Sequence, residues 1–284
     1  MRGLIPNNAA KNGATIARQE LLIPYPQYAN NGFTLNNISI GRQRYQGLQT
    51  KFTKRYSYGV VFNATYQFIK VTETASLLNN QDYNFADPQS SKFEKRSAGQ
   101  IDIPHKFAIA GSWDLPVGKG MPWGSNMGRA GNAILGGWQM NFDVTYQSGW
   151  VPDYPNAKQV KDGTGSLGSG ATFGRYFDTS LWDTAAGTRV AAQEPFTLRD
   201  FPTRFSGVRQ PGYRNWDASL AKFLPITEKM KLQFRMEMIN AFNRPWYANL
   251  AAGATDVSRP TFGQLDPTQR NLPRFVKLAL NLVL

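Results

Sequence analysis

The feature that most constrains this chain is a repeated alternation of apolar and polar residues with a period of two. Such a pattern predicts a β-strand with one apolar and one polar face, because successive side chains of a strand point to opposite sides. The clearest example places Met230, Leu232, Phe234, Met236 and Met238 on one side and Lys231, Gln233, Arg235 and Glu237 on the other. A helical period would not separate the residues in this way.

The same alternation recurs in six further segments, at residues 48–52, 60–68, 106–115, 138–147, 216–220 and 276–284. A strand of about ten residues, tilted near 40°, rises about 25 Å, which is the height of the apolar band of an outer-membrane barrel. Strands of soluble sandwiches average only about five or six residues. The pattern therefore favours an all-β, antiparallel up-and-down transmembrane β-barrel over a soluble β-sandwich.

In a membrane barrel the apolar side of each strand faces lipid and the polar side faces a wet lumen. The predicted lumen-facing residues are Asp143, Asp217, Lys231, Gln233, Arg235 and Glu237. The predicted lipid-facing residues are Met230, Leu232, Phe234, Met236, Leu278, Leu280 and Leu282. Trp113, Trp138, Trp150 and Trp216 lie at or near predicted strand ends, where aromatic rings favour the headgroup level. We predict that they are interface aromatics, with sugar stacking as the alternative.

The connections between the predicted strands alternate between shorter and longer. Short polar turns at 54–59 and 224–229 and a glycine-rich link at 116–136 are interleaved with long connections near 71–104, 150–212 and 243–273. An up-and-down barrel has this arrangement, with shorter turns on the periplasmic side and long loops outside. We therefore expect one partial barrel over 1–284, with a loop or weak strand in 1–41, strands and long extracellular loops in 42–284, and Leu284 in the periplasm.

About seven or eight strands are expected, and we expect the chain to be an incomplete barrel. Bacterial outer-membrane barrels have an even number of strands and close completely, since unpaired backbone groups are unfavourable in lipid. We recognise no plug domain and no export signal in this sequence.

Composition excludes several other classes. No apolar run approaches the ~18 residues of a spanning helix, and the mean hydropathy is −0.43, so a helical membrane protein is excluded. The chain has no cysteine and one histidine, and we predict no catalytic residue, no cofactor, no metal site and no enzymatic activity. The net charge is +13, but Lys and Arg are spread singly, so no nucleic-acid partner is expected.

Several segments resemble one family. Residues 201–220, FPTRFSGVRQPGYRNWDASL, and residues 227–245, which contain TEKMKLQFRME and NAFNRP, resemble Oar-like TonB-dependent receptors, as does TFGQ at 261–264. Shorter segments at 21–28, 45–49, 104–107, 115–120 and 136–139 are similar to landmarks of that family in the same order. The resemblance covers nearly the whole chain.

This resemblance implies the C-terminal part of a barrel of about 22 strands in the outer membrane of a Gram-negative bacterium. It implies contact with outer-membrane lipid, coupling to the TonB complex only through a missing N-terminal region, and recognition of the C-terminal strand by the barrel-insertion machinery. The chain departs from the usual pattern by ending in Leu284 instead of an aromatic residue. The implied function is uptake of a scarce ligand, such as a siderophore or a glycan.

Two other functions remain open at this point. One is a passive porin-like or adhesin-like outer-membrane barrel, and the other is a soluble all-β binding module. For ligand contact the sequence offers aromatic residues of the predicted long loops: Tyr83, Phe85, Tyr176, Phe177, Trp182 and Trp246.

Overall fold

The computed structural model describes residues 13–15, 41–74, 85–87, 92–93, 95–153, 160–183, 204, 206–227 and 230–283. Within them lie ten strands: β1 (Gln43–Ser57), β2 (Val60–Glu73), β3 (Phe85–Asp87), β4 (Lys92–Phe93), β5 (Arg96–Ser97), β6 (His105–Asp114), β7 (Trp138–Gln147), β8 (Tyr213–Pro225), β9 (Lys231–Ile239) and β10 (Phe275–Val283). A short helix, α1, spans Arg129–Leu135. No helix among these residues is long and apolar enough to cross a membrane.

Seven strands form one antiparallel sheet in the order β1, β2, β6, β7, β8, β9, β10. Each strand pairs with the next along this path, β5 pairs with the end of β2, and β3 and β4 form a separate pair. This meander confirms the predicted all-β antiparallel class. Within the described residues β1 and β10 are the outer edges of the sheet and do not pair with each other, so the sheet is not closed there.

Three strands are longer than the alternation indicates, and one of them is β2, which has 14 residues and extends beyond the alternating segment 60–68. The weak patterns at 48–52 and 216–220 lie within β1 and β8, which have 15 and 13 residues. The register of β1 with β2 is continuous from Gln43 to Lys54, so pairing with a neighbour extends the strand beyond its clearest alternation. β1 and β2 are joined by Tyr58 and Gly59, both with positive φ (53° and 77°), as in the two-residue turns that suit antiparallel hairpins.

The strand register brings the apolar sides of all seven strands onto one face. Phe62 lies opposite Gly111, which lies opposite Phe142, and the row continues through Ala218 and Met238 to Val276. Because side chains alternate along each strand, the predicted lipid-facing residues Leu232, Phe234, Met236, Leu278, Leu280 and Leu282 share this face. Met230 lies just before β9 with the same parity. Leu278 and Leu280 are 63% and 65% exposed, and so broad an exposed apolar surface requires an apolar environment.

The opposite face of the sheet is polar. Asp143 lies opposite Asp217, and Ser219 lies opposite Glu237. Lys231, Gln233, Arg235 and Glu237 alternate with the apolar set, so the six predicted lumen-facing residues share this side. Neighbouring polar side chains interact: Arg235 Nε lies 2.9 Å from Glu237 Oε1, and Asn141 Nδ2 donates to Ser219 Oγ over 3.1 Å.

Gly111 interrupts the apolar side of β6 for a packing reason. A Cβ atom at this position would lie 2.6 Å from Phe62 Cβ and 2.9 Å from Phe142 Cζ. The two phenylalanines of β2 and β7 therefore occupy the space above the strand, and only glycine fits beneath them.

Aromatic residues occupy both ends of the apolar face. Trp113 and Trp138 lie at the end of the sheet with shorter connections. Trp216 lies near the other end, where its Nε1 donates to Tyr146 Oη over 2.7 Å and its ring packs edge-on against Phe242. Phe107 and Trp113 are six residues apart on β6, or about 20 Å. This spacing fits two aromatic girdles, whereas Trp150 lies in the connection after β7.

Introducing a single arginine tests which face of the sheet contacts lipid. Arg in place of Leu278, in the middle of β10, is expected to lower the free energy of unfolding in lipid vesicles by about 2–4 kcal/mol, because the charge would lie in hydrocarbon. The matched control is Ala279→Arg, one residue away on the polar face, which should change stability little. Denaturant titration of both variants measures the difference, and equal losses would contradict the assignment of the faces.

Candidate functional site

Three long connections leave the sheet at the same end, which we call the loop end; the opposite end is the turn end. These connections follow β2, β7 and β9. The described residues of the three connections interlock, and we refer to them together as the loop cap. Backbone hydrogen bonds join two of the connections, from Tyr176 N to Gly263 O (2.6 Å) and from Leu265 N to Phe173 O (2.8 Å).

The loop cap has its own hydrophobic core. Its buried residues are Phe177, Leu181, Trp182 and Val208 from the connection after β7, and Val257 and Phe262 from the connection after β9. The rings of Phe177, Trp182 and Phe262 meet edge to face, with centroids 5.5–5.9 Å apart, a favourable aromatic geometry. Two connections distant in sequence therefore pack as one unit.

A buried arginine joins the loop cap to the end of β2. Arg204 Nη1 donates to Glu73 Oε1 over 2.6 Å and to the Ser97 carbonyl over 2.7 Å, and its Nε donates to Asp153. Arg96 Nε also lies 3.5 Å from Glu73 Oε1. The Arg204 and Glu73 side chains are only 6% and 2% exposed, and the pair joins the connection after β7 to the last residue of β2.

A second buried ion pair lies beside the first. The carboxylate of Asp102, which is fully buried, accepts hydrogen bonds from the Val71 amide (2.9 Å), the Ser97 hydroxyl (2.7 Å) and Arg209 Nη2 (2.9 Å). Burial alone would raise the pKa of Asp102, but these hydrogen bonds and the Arg209 charge outweigh it and hold the pKa below its usual value. Arg209 Nη1 also donates to the Asp102 and Gly149 carbonyls.

The loop cap covers the polar side of β2 at the loop end. Ile69, Val71 and Glu73 continue the parity of the polar-face residues Asn63 and Gln67 along β2. All three are buried, and Ala98 packs with Ile69 and Val71. The loop cap therefore covers part of the sheet face that carries the polar side chains.

A cavity of about 420 Å³ lies within the cap. Its walls come from the three connections: Ala98, Gly99, Gln100, Trp150, Val151, Pro152, Asp153, Arg204, Gln210, Leu250, Ala251, Gly253, Ala254 and Thr255. The Gln210 side chain accepts from the Leu250 amide over 2.8 Å and so joins two of the walls. The volume suits a small ligand or one end of a larger one.

Of the six predicted ligand-contact aromatics, the four with described side chains do not line this cavity: Tyr176, Phe177, Trp182 and Trp246. Phe177 and Trp182 are 0% and 2% exposed in the cap core, which leaves them without the accessible surface that ligand contact requires. Tyr176 Oη donates to the Arg209 carbonyl over 2.8 Å, and burial raises the pKa of Tyr176 to about 12. Trp246 Nε1 donates to the Pro211 carbonyl over 3.2 Å. Tyr83 and the side chain of Phe85 lie outside the described residues.

Sequence reasoning did not single out the polar residues of the cavity wall. Asp153, Arg204 and Gln210 line it together with Trp150, which was predicted as an interface aromatic. One signal was available, because Arg204, Arg209 and Gln210 all lie in the segment 201–220 that carries the family resemblance. What that segment does became visible only when its contacts with β2 and the other connections were known.

The sequence matches the model of one family, described as outer membrane beta barrel domain, over residues 2–277. The chain belongs to this family. No curated protein and no solved structure matches the chain. Because the chain belongs to this family, the barrel domain is located in the outer membrane of a Gram-negative bacterium. Because such barrels are apolar outside and polar inside, we expect the apolar face of the sheet to contact lipid and the polar face to line the lumen.

The buried ion pair between Arg204 and Glu73 should contribute more to the stability of the loop cap than an exposed ion pair does. Arg204→Met removes one cation from the buried Glu73 carboxylate, and we expect it to destabilise the loop cap by about 3 kcal/mol, the lower end of the usual range because Arg96 still faces Glu73. Arg175→Met is the control, since the Arg175 side chain is 52% exposed in its pair with Asp178 and such pairs contribute about 0–1 kcal/mol. Hydrogen exchange of the loop-cap amides measures the loss of stability in both variants. Similar losses in the two variants would contradict the prediction.

Acidification should loosen the contact between the loop cap and β2. Because the folded-state pKa of Asp102 is lowered, its stabilising effect is present above the unfolded pKa of about 3.9 and is lost as the pH falls through the folded value. The protection of the Val71 amide, which donates to Asp102, is the direct readout. In Asp102→Asn the protection of the Val71 amide should be lower at neutral pH. It should also no longer decrease when the pH falls below about 4. The exposed Asp162→Asn control should keep the wild-type profile, and an unchanged profile in Asp102→Asn would refute the assignment.

Proposed function

We propose that this chain is part of the barrel of an Oar-like TonB-dependent receptor, and that its loop cap captures a scarce ligand on the outer side of the membrane. The observation that carries the proposal is the construction of the cap. An aromatic core and two buried ion pairs hold three long connections around a cavity on the polar side of the sheet. The segment with the family resemblance supplies Arg204, Arg209 and Gln210 to this construction.

The ion pairs support a receptor because they fix loop geometry. Burying an arginine and a carboxylate requires both to lose their hydration, so such pairs contribute less to stability than their contacts suggest. They do, however, penalise any arrangement in which either charge loses its partner. A surface that must present a defined cavity to a ligand needs that restriction, whereas a passive pore needs only an unobstructed lumen.

The cavity wall suggests the chemical class of the ligand. The single positive charge of Arg204 is compensated by the carboxylates of Glu73 and Asp153, so the wall does not favour a strongly charged ligand. Trp150 and Leu250 offer apolar surface beside the amide of Gln210 and the hydroxyl of Thr255. A neutral, hydroxyl-rich molecule such as a glycan fits this mixture, since sugars combine an apolar ring face with polar edges. We propose transport and not catalysis.

The proposed partners follow from the receptor assignment. Outer-membrane lipid would contact the apolar face, and the barrel-insertion machinery would engage the C-terminal strand. The TonB complex would act through an N-terminal region outside this chain. Among the alternatives, family membership argues against a soluble binding module. A passive porin-like or adhesin-like barrel would use the same sheet with an open lumen.

Conductance separates a receptor from a passive pore. The complete product of the gene that encodes this chain, inserted into planar lipid bilayers, should show no steady conductance, because a receptor lumen is filled by a plug. The DNA upstream of the Met1 codon should encode that plug and a TonB box. A steady ohmic conductance, with no plug encoded, would reject the receptor and favour the passive barrel. A detergent-free soluble product would reject both.

A further inference from the structure

We propose that the connection between β6 and β7 is a membrane-surface anchor at the turn end. In this proposal α1 and the residues before it place exposed apolar side chains in the headgroup region of an anionic phospholipid leaflet. Lys222 holds α1 against the apolar face of the sheet. The inference depends on the membrane location of the barrel and is independent of the receptor assignment.

Lys222 is a cation on the apolar face of β8. It lies opposite Trp138 on β7 and Phe234 on β9, and it is only 5% exposed. Its Nζ donates to the carbonyls of Ile134 (3.3 Å) and Gly136, and lies 5.3 Å from the centroid of the Trp138 ring. The carbonyls at a helix C-terminus carry partial negative charge. The end of α1 therefore compensates a lysine that would otherwise be unfavourable on a lipid-facing surface.

Trp138 fixes the same end of α1. Its Nε1 donates to the Ile134 carbonyl over 2.9 Å, and its ring packs edge-on against Phe234. Within the connection, the Lys119 amide donates to Asn132 Oδ1 over 2.7 Å, and the Trp123 amide donates to the Pro116 carbonyl over 3.0 Å. The connection is therefore an ordered unit attached to the apolar face.

This unit exposes large apolar side chains. Ile134 and Leu135 of α1 are 67% and 55% exposed, and Trp123 and Met121 are 61% and 43% exposed. A connection lying in water would gain by burying such residues, and those at α1 adjoin a face that we expect to contact lipid. Apolar residues on a short surface helix beside a lipid-facing sheet fit the boundary between headgroups and acyl chains.

The charge of the connection favours an anionic lipid surface. Residues 115–137 include Lys119 and Arg129 and contain no aspartate or glutamate. Both cations are exposed, and cations near a membrane surface are attracted to anionic headgroups. Continuity with the apolar face and this charge together select lipid over water or a protein partner as the occupant.

Single-cysteine labelling tests the anchor, because the chain contains no cysteine. Three variants of the complete gene product carry an environment-sensitive fluorophore in vesicles of phosphatidylethanolamine and phosphatidylglycerol. Ile134→Cys reports the anchor, Leu278→Cys is the lipid-facing reference, and Val160→Cys, 50% exposed in the loop cap, is the aqueous reference. The expected result at Ile134 is quenching by headgroup-level nitroxide lipid, with an iodide quenching constant at least about two-fold below that at Val160. Iodide quenching equal to that at Val160 would overturn the proposal, and so would protection from both quenchers, which would indicate a protein contact.

A second pair of variants tests the role of Lys222. In the labelled Ile134→Cys background, Lys222→Met should raise iodide quenching toward the Val160 value, because the clamp on α1 is lost. Lys231→Met is the matched control on the polar face of the neighbouring strand, and it should leave quenching unchanged. Iodide quenching that does not change in Lys222→Met would refute the role of Lys222 in holding α1 against the sheet.

Discussion

The antiparallel register of the seven-stranded sheet is the constraint on which the rest of this structure depends. Each strand carries its own apolar and polar sides, but only the register makes the apolar sides coincide, as in the row from Phe62 to Val276. A shift of one residue between two strands would place the apolar side chains of one of them among polar neighbours. The register therefore creates a surface suited to lipid and a separate surface suited to water.

The same topology limits how the sheet can close. Successive strands run in opposite directions, so β1 and β10, the first and seventh strands of the path, run in the same direction. Direct pairing of these edges would be parallel, whereas a fully antiparallel barrel requires an odd number of further strands between them. The even strand number of bacterial outer-membrane barrels agrees with this requirement.

Buried charges are compensated in different ways at the two ends of the sheet. At the loop end, long connections bury charge against charge, and Glu73 and Asp102 gain arginine partners from distant positions. At the turn end, a shorter connection compensates a single lysine with helix carbonyls and the ring of Trp138. In both places a buried charge is retained only where hydrogen-bonding groups surround it. These contacts position the loop cap and α1 relative to the sheet.

The sequence by itself determined the strands, their faces and the alternation of long and short connections, because side chains alternate with a fixed period and turns have local chemical signatures. It indicated the apolar side of β9 residue by residue. It did not determine the loop cap. Phe177 and Trp182 read as exposed loop aromatics until their packing against Phe262 was known, and nothing in the sequence alone singled out Lys222 as a residue that contacts α1. Only the tertiary structure decided these points, because contacts between residues far apart in sequence follow no local period.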